Sequence, residues 1–253
     1  HLWFDHNDLK ERYPVVLADP ENGWNEIVTG DMLRCTAGLA RRWEWILRRE
    51  IFWGERLCDD RPIERVFNIG HTYTDTGWGL DVVYHGGRDG SAYRWEPALA
   101  DMGDIDRIRE PCITVDRETT ERTLDLARSI LGGELEVKLR GLNLDSPSPH
   151  MSRDLTKLLG LQATMMKLVD DPETIHRIMR KLLRGHQARL DFLEDNGLLS
   201  LNNDHSYVGS GGIGYTRELP RRRMAPGDRV RTEDLWLLTE RQETVGLSPE
   251  MFA

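Results

Sequence analysis

The chain of 253 residues has no long apolar run and few cysteines. No hydrophobic stretch approaches the ~20 residues of a membrane-spanning helix. The first residues do not resemble a signal peptide, because no basic segment precedes an apolar one. The three cysteines, Cys35, Cys58 and Cys112, are too widely spaced for a disulfide framework or a Cys-x-x-Cys metal motif. We therefore expect a cytoplasmic protein with free thiols and no membrane partner.

Basic residues are not in excess either. The 43 acidic residues outnumber the 34 basic ones, for a net charge of −9, which argues against general nucleic-acid binding. One basic stretch, 217–231, contains six arginines. It fits either a docking surface for an acidic partner or a solvated loop. The length suffices for one large domain or two small ones with a full core.

Helical patterns alternate with short apolar segments along the chain. Strands separated by helices of roughly 15–25 residues indicate parallel pairing through helical crossovers. The pattern predicts either the first half or so of an eight-stranded barrel or an open sheet. The predicted helices cover 30–57, 117–131, 152–168 and 172–195, and the strands lie near residues 66, 137, 200 and 237.

The C-terminal segment has the residues that favour the start of a helix. Ser248 suits the N-cap, Pro249 the first helical position and Glu250 the first turn. We therefore expect that the chain is a fragment which stops as a helix begins.

The most informative segment follows the apolar run near residue 200. Asn202, Asn203, Asp204, His205 and Ser206 are consecutive polar residues at the predicted carboxyl end of a strand, where chemistry collects in parallel α/β folds. A histidine beside an aspartate transfers protons or binds a metal at neutral pH. The alternative interpretation is a solvent-exposed polar turn.

A glycine-rich loop follows this cluster. Its sequence over 209–214 matches G-x-G-x-x-G, but a dinucleotide site needs a helix directly after the first strand. We interpret the loop as a lid or substrate loop, with a plain surface loop as the alternative. Tyr207, at its start, is a predicted substrate-binding residue together with Asn203.

Polar residues follow the neighbouring predicted strands as well. Arg140, Asn143 and Asp145 come after the strand near 137, and an arginine there can bind a carboxylate or phosphate with two hydrogen bonds. A structural Arg140–Asp145 pair is the alternative. His71 and Asp75 follow the first strand and are further predicted substrate-binding residues.

The last predicted strand ends in two carboxylates. Glu240 and Glu243 suit acid–base catalysis or a hard metal ion, with a solvated turn as the alternative. If the strands at 135–139, 199–201 and 235–239 are parallel neighbours, the polar residues named here share one rim of the sheet.

Four segments resemble the uroporphyrinogen decarboxylase-like superfamily, and the resemblance covers nearly the whole chain. These segments are Leu99–Pro111, Leu168–His176, Asp195–Asp204 and Gln242–Ala253. The resemblance implies a (β/α)8 TIM barrel. We therefore predict one domain over 1–253, with a helical region at 1–62 and the first part of an incomplete barrel at 63–253.

The resemblance also implies two activities: decarboxylation of tetrapyrrole side chains, and zinc-dependent methyl transfer with a corrinoid protein. The Arg-Gln-Ala-Gly-Arg motif with which the decarboxylases grip carboxylates is missing, and Leu33–Arg41 is only a faint echo of it. The zinc ligands of the methyltransferases would lie beyond residue 253.

The sequence is therefore interpreted as a methyltransferase that moves a methyl group from a small methylated substrate to a corrinoid protein. Asp204, His205 and Glu240 are the predicted catalytic residues, Arg140 the substrate anchor and Glu243 a zinc ligand. A homodimer is among the expected assemblies. The alternatives are a decarboxylase and a non-catalytic, ligand-binding barrel subunit.

Overall fold

The computed structural model describes residues 2–10, 13–87, 93–99, 102–141, 149–207, 212–225 and 227–237. The chain divides into two compact units. Unit 1 comprises residues 1–64, 86–93 and 202–221, and unit 2 comprises 65–85, 94–201 and 222–253. The predicted single domain over 1–253, with a helical region over 1–62, stays a prediction, and its barrel part over 63–253 is corrected below.

Unit 1 is built from short helices around buried tryptophans. Helices α1 (Leu2–Asn7), α2 (Trp24–Ile27) and α3 (Gly38–Phe52) lie in its first segment, and a π-helical turn over Trp53–Leu57 extends α3. The predicted helix over 30–57 is thus split, because only residues 38–57 continue as one helical segment.

Aspartate side chains and carbonyls bind the indole N–H groups of this unit. Trp3 donates to the carbonyl of Asp60 at 2.7 Å, and Trp53 donates to the carboxylate of Asp59 at 3.0 Å. Both tryptophans are buried. A buried indole thus packs its ring while its polar N–H stays satisfied, which fixes the segment that leads to Glu64.

The segment before α3 is fastened to that helix by Glu44. Its carboxylate accepts the backbone N–H groups of Arg34 and Cys35 at 2.8 and 2.7 Å. These bonds favour the ionised form and lower the pKa of Glu44 to about 2. The guanidinium of Arg41 donates to the carbonyls of Leu33 and Cys35 from the same helix.

The described residues contain six short strands. They are β1 (Val66–Gly70), β2 (Thr72–Asp75), β3 (Val83–Gly86), β4 (Tyr93–Glu96), β5 (Ile113–Asp116) and β6 (Glu136–Arg140). They form three two-stranded sheets: β1 with β6 in parallel, β2 with β5 in antiparallel, and β3 with β4.

The prediction of a TIM barrel is therefore wrong. Three separate two-stranded sheets do not make a barrel in the part of the chain that the structure describes. The strands near 66 and 137 are confirmed as a parallel pair, whereas residues 199–201 and 235–237 are not strands. A short apolar run does not distinguish a strand from another buried segment. Leu198, Leu199 and Leu235 are buried in a core but do not belong to a strand.

Four helices accompany the strands in unit 2. They are α4 (Arg117–Leu131), α5 (Met151–Leu159), α6 (Leu161–Asp170) and α7 (Pro172–Asp195). The predicted bounds of α4 and α7 are confirmed. The single helix predicted over 152–168 is instead two helices, because Gly160 between them has a φ of +82° that breaks the helical path.

Local signals explain the bounds of α4 and α7. Asp116 caps α4 by accepting the N–H of Thr119 at 2.9 Å, and Asp171 caps α7 through the N–H of Thr174. Pro172 occupies the first turn of α7. Gly197 follows with a φ of +63°, which ends the helix.

Helix α7 supplies much of the core of unit 2. Ile175, Ile178, Met179 and Leu182 are buried, as their helical spacing predicts. They pack with Leu155, Leu158 and Leu159 of α5. Across the described ranges, no helix combines the length and apolarity needed to cross a bilayer.

Candidate functional site

Two polar side chains of unit 1 meet at one carboxylate. The hydroxyl of Tyr215 donates a hydrogen bond of 2.6 Å to Oε1 of Glu64. The Nδ1 atom of His205 lies 2.9 Å from Oε2 of the same carboxylate. We call Glu64, His205 and Tyr215 the Glu64 cluster. It combines a titratable imidazole with a carboxylate that can balance its positive charge.

Two backbone contacts pair the segment after His205 with the segment before Tyr215. The N–H of Gly214 donates to the carbonyl of Ser206 at 2.9 Å, and Tyr207 and Ile213 form an antiparallel bridge. The chain thus returns antiparallel to itself after His205. Residues 208–211 of the glycine-rich loop lie outside the described residues, so the lid interpretation stays a prediction.

Asp204 stabilises the turn that carries His205. Its Oδ1 accepts the backbone N–H of Ser206 at 2.9 Å and also the hydroxyl of Ser206. Such local side-chain to backbone bonds stabilise turns. Glu64 supplies a carboxylate beside the His205 ring, and the predicted catalytic role of Asp204 stays a prediction.

Tyr215 is kept in its neutral form. Burial raises the pKa of its phenol above the ordinary value of 10.0, and the hydrogen bond to Glu64 and the charges of Glu64 and Asp204 raise it further. A neutral phenol donates its proton to Glu64 throughout the physiological pH range. The Glu64 carboxylate is thereby oriented by a donor that does not compete for protons.

His205 is partly accessible to a substrate. Its side chain is 18% exposed, and that of Glu64 is 36% exposed. The buried Nδ1 is close to Glu64 but lacks the alignment of a hydrogen bond. In free enzymes such contacts are often poorly aligned and tighten when the substrate binds. The arrangement suits proton transfer through the imidazole.

The other residues predicted in this segment have structural contacts. The Asn203 side-chain amide donates to the carbonyl of Leu219 at 3.0 Å. Tyr207 takes part in the bridge to Ile213 and is 40% exposed. Their predicted roles in substrate binding stay predictions.

Unit 2 brings Arg140 and His71 to the same end of one sheet. The parallel register sets Gly70 opposite Arg140, so His71 follows directly at the carboxyl end of β1. Arg140 donates from Nη2 to the carbonyl of Leu201 at 2.9 Å. The His71 ring is partly buried, and burial, aided by the charge of Arg117, lowers its pKa. Arg140 thus fastens the segment after α7 to this end of the sheet.

Asp75 belongs to a buried ion pair. Its carboxylate lies 2.9 Å from Nη2 of Arg189 and also accepts the N–H of Gly77 at 2.8 Å. Arg189 is buried and its guanidinium lies over the ring of Trp78, 5.0 Å from the centroid. The Asp75 carboxylate thus stabilises the turn at Gly77 and binds Arg189.

Four predicted residues lie outside the described residues: Asn143, Asp145, Glu240 and Glu243. Zinc ligation by Glu243 therefore stays a prediction. Among the residues that are described, no group of three or more His, Cys, Asp or Glu side chains could hold a metal ion. The described side chains thus do not fit a zinc centre by themselves, and no chemical step is assigned to zinc.

A second histidine–carboxylate pair lies in the core of unit 2. The Nε2 of His186 is 3.1 Å from Oδ2 of Asp154, which also accepts the indole N–H of Trp78 at 3.1 Å. His186 is 3% exposed and Asp154 is 7% exposed. A substrate does not reach a pair so deeply buried. We therefore interpret it as structural and favour the Glu64 cluster as the functional site.

The basic stretch lines a cleft of about 300 Å³ in unit 2. Its walls balance three arginines against three acids: Glu194, Asp195, Arg222, Asp228, Arg229 and Arg231. Arg222 also pairs with buried Asp234 at 3.1 Å. A cleft without excess positive charge does not favour an acidic partner at this place, and both interpretations of the whole stretch stay predictions.

Sequence reasoning missed Glu64 and Tyr215. Glu64 directly precedes the first strand region, and Tyr215 ends the glycine-rich segment. Neither position has a local signal of proximity to His205, because the three residues meet only through the fold. The only sequence feature that singles out Tyr215 is its position directly after a glycine-rich segment.

Searches among protein-family models, curated proteins and solved structures found no match to this chain. The resemblance to the uroporphyrinogen decarboxylase-like superfamily therefore stays a prediction from the sequence, and the chemistry of the Glu64 cluster has to be argued from its own geometry.

Proposed function

We propose that the protein is a methyltransferase in which His205 protonates the leaving group of a small methylated substrate. The observation that carries this proposal is the position of the His205 imidazole, 2.9 Å from a Glu64 carboxylate whose other oxygen is held by neutral Tyr215. An alkoxide or amide anion is a poor leaving group, so breaking a C–O or C–N bond to a methyl group requires a proton donor.

The step balances when a reduced corrinoid accepts the methyl group and the Glu64 cluster supplies the proton. As the bond between the methyl carbon and the leaving oxygen or nitrogen breaks, its electron pair stays on the leaving atom, which takes the proton of the His205 imidazolium. Water then reprotonates the imidazole. The methyl acceptor in this proposal is a corrinoid protein, as the sequence resemblance implies.

Glu64 and Tyr215 support this role of His205. The Glu64 carboxylate lies 2.9 Å from the ring, close enough to pair with it during the proton transfer. Tyr215 fixes the carboxylate by a short hydrogen bond and stays protonated itself. The arrangement resembles a catalytic histidine oriented by an acid, the logic that also governs hydrolase triads.

Turnover of methylated substrates tests the proposal. The protein would be incubated with a panel of methyl ethers and methylamines and a reduced corrinoid, and methyl-corrinoid formation followed by absorbance. Removal of a general acid costs about 10²–10⁴-fold in rate, so we expect a loss of this size in His205→Gln.

His176→Gln is the matched control, because His176 lies partly exposed on α7 in unit 2. It should retain wild-type activity. Equal activity of His205→Gln and wild type would overturn the proposal.

The same preparations distinguish the alternative functions. A decarboxylase would use the same proton donor, so the panel includes uroporphyrinogen with carbon dioxide release as the readout. Decarboxylation without methyl transfer would replace the proposed reaction. No turnover of either substrate class would favour a non-catalytic, ligand-binding subunit. Zinc content measured alongside tests the expected cofactor.

A further inference from the structure

Helix α1 contacts both sides of the hydrogen bond between Tyr215 and Glu64. The side-chain amide of Asn7 donates to the carbonyl of Ile213 at 3.0 Å and to the carbonyl of Tyr215 itself. The ring of Phe4 meets the ring of Tyr215 edge-on, with centroids 5.2 Å apart. On the other side, Trp3 donates to the carbonyl of Asp60, four residues before Glu64.

We propose that Asn7 is a positioning residue of the Glu64 cluster, which holds the backbone at 213–215 so that the Tyr215 hydroxyl reaches Glu64. A primary amide has two N–H donors, and here one side chain serves two carbonyls that flank Gly214. The side chain of residue 215 leaves the backbone between these two anchored points. Its direction therefore depends on Asn7.

The surroundings of α1 favour this reading over a merely peripheral helix. Trp3, Ile213 and Tyr215 form one buried apolar cluster with Phe4. Arg217 pairs with Asp5 of this helix and with Asp8, which directly follows it. The apolar cluster and the ion pairs supply the docking, whereas the two bonds of Asn7 determine the position of the 213–215 backbone along the helix.

The proposed role in catalysis rests on the proposed function of His205, but the positioning itself can be measured without a substrate. NMR of ring-labelled tyrosine follows the ionisation of Tyr215, and Tyr215→Phe assigns its signal among the six tyrosines. In the wild type Tyr215 should stay protonated at pH 10, where an ordinary tyrosine is half ionised.

Asn7→Ala should release Tyr215 from its buried site and from Glu64. Because burial and the bond to Glu64 both raise the pKa of the phenol, the ionised fraction of Tyr215 at pH 10 and above should exceed that of the wild type. Asn7→Gln retains an amide donor and should restore part of the wild-type behaviour. Asn196→Ala is the matched control, because the Asn196 amide also donates to a backbone carbonyl, that of Phe192 at 2.8 Å, in unit 2. It should leave the ionisation of Tyr215 unchanged.

A folded Asn7→Ala variant with wild-type ionisation of Tyr215 would overturn the inference. If Asn7→Ala does not fold, Asn7→Asp is measured in its place, because it has the same size without the N–H donors, and an unchanged ionisation of Tyr215 would again contradict the inference. Loss of activity in His205→Gln with no effect of Asn7 variants on Tyr215 leaves the proposed function and removes this inference. If the Asn7 variants change the ionisation of Tyr215 but no preparation turns over any substrate, this inference is kept and the proposed function is removed.

Discussion

The hydroxyl of Tyr215 and the Oε1 of Glu64 lie 2.6 Å apart although 151 residues separate them in the sequence. This bond joins the segment after the tryptophan-rich helices of unit 1 to the segment after α7. It also holds the carboxylate that faces His205. The bond should therefore contribute to the stability of the fold.

Tyr215→Phe should lower the free energy of unfolding by about 1 kcal/mol, the net contribution of a typical hydrogen bond. The ring packing is retained, and the partly exposed Glu64 can bind water in place of the hydroxyl. Urea unfolding measures the change. Tyr13→Phe is the control, because Tyr13 is 75% exposed, and it should unfold like the wild type. A larger loss in the control would count against this account.

The buried pair of Asp154 and His186 should contribute much more to the free energy of unfolding than the bond between Tyr215 and Glu64. Asp154→Ala leaves His186 and the Trp78 indole without their acceptor in the core, and removal of one partner of a buried pair costs about 3–5 kcal/mol. Asp125→Ala removes an exposed carboxylate next to Arg128 and should change stability little. Urea unfolding of both variants makes the comparison, and equal losses would contradict the structural role of Asp154.

The stability that Asp154 contributes should depend on pH. Burial acts to raise the pKa of Asp154, but the hydrogen bond from His186 and the charges of Arg153 and His186 outweigh it, so the pKa lies below its ordinary value of 3.8. A lowered folded pKa means that the contribution is fully present above pH 3.8 and is lost as the pH falls through the folded value.

The difference in unfolding free energy between wild type and Asp154→Ala should therefore shrink below pH 3.8. Urea unfolding of the two proteins across the acidic range measures it. A difference that grows on acidification would show that the sign of the pKa shift is opposite.

Gly185 in α7 should not tolerate a methyl group. A Cβ there would lie 2.7 Å from Cδ of Pro111 and still closer to the ring of Trp78. Overpacking of this kind costs about 1–3 kcal/mol, more than the gain of about 1 kcal/mol from helix propensity. Gly185→Ala should thus lower the melting temperature. Gly38→Ala, in α3 with nothing near the new Cβ, should raise it, and the same sign for both would refute the packing argument.

Glu44 should remain ionised in strong acid. Two backbone N–H bonds lower its pKa to about 2, so its carboxyl carbon signal in an NMR titration should have its midpoint near that pH. Because the folded pKa is lowered, the attachment of residues 34 and 35 to α3 is present at neutral pH and is lost only as the pH approaches 2. Faster amide exchange at Arg34 and Cys35 in Glu44→Gln is the second readout, and a midpoint near 4.5 would contradict the prediction.

The site was only partly predictable from the sequence. His205 was chosen because polar residues follow a short apolar run, and it does lie beside a carboxylate in the structure. The neighbouring Asp204 was the expected partner, yet it caps the turn at Ser206. Adjacent side chains on an extended or turning backbone point in different directions, so the sequence alone does not show which carboxylate lies beside the ring.

The barrel prediction failed for a related reason. The periodicity that defines α4 and α7 is local, and it was correct because caps and breakers such as Asp116, Asp171 and Gly197 act within one helical turn. The apolar runs near 200 and 237 indicate burial but not strand pairing. Pairing depends on which backbone lies alongside, and β6 pairs with β1 rather than with residue 199 onward.

The sequence by itself determined the bounds of α4 and α7 and the buried face of α7, because these depend on contacts within a few residues. The tertiary structure decided which carboxylate faces His205, since Glu64, Tyr215 and Asn7 reach it from distant parts of the chain. A long-range contact forms when many side chains pack at once and offset the loss of chain entropy. No single position in the sequence carries that information.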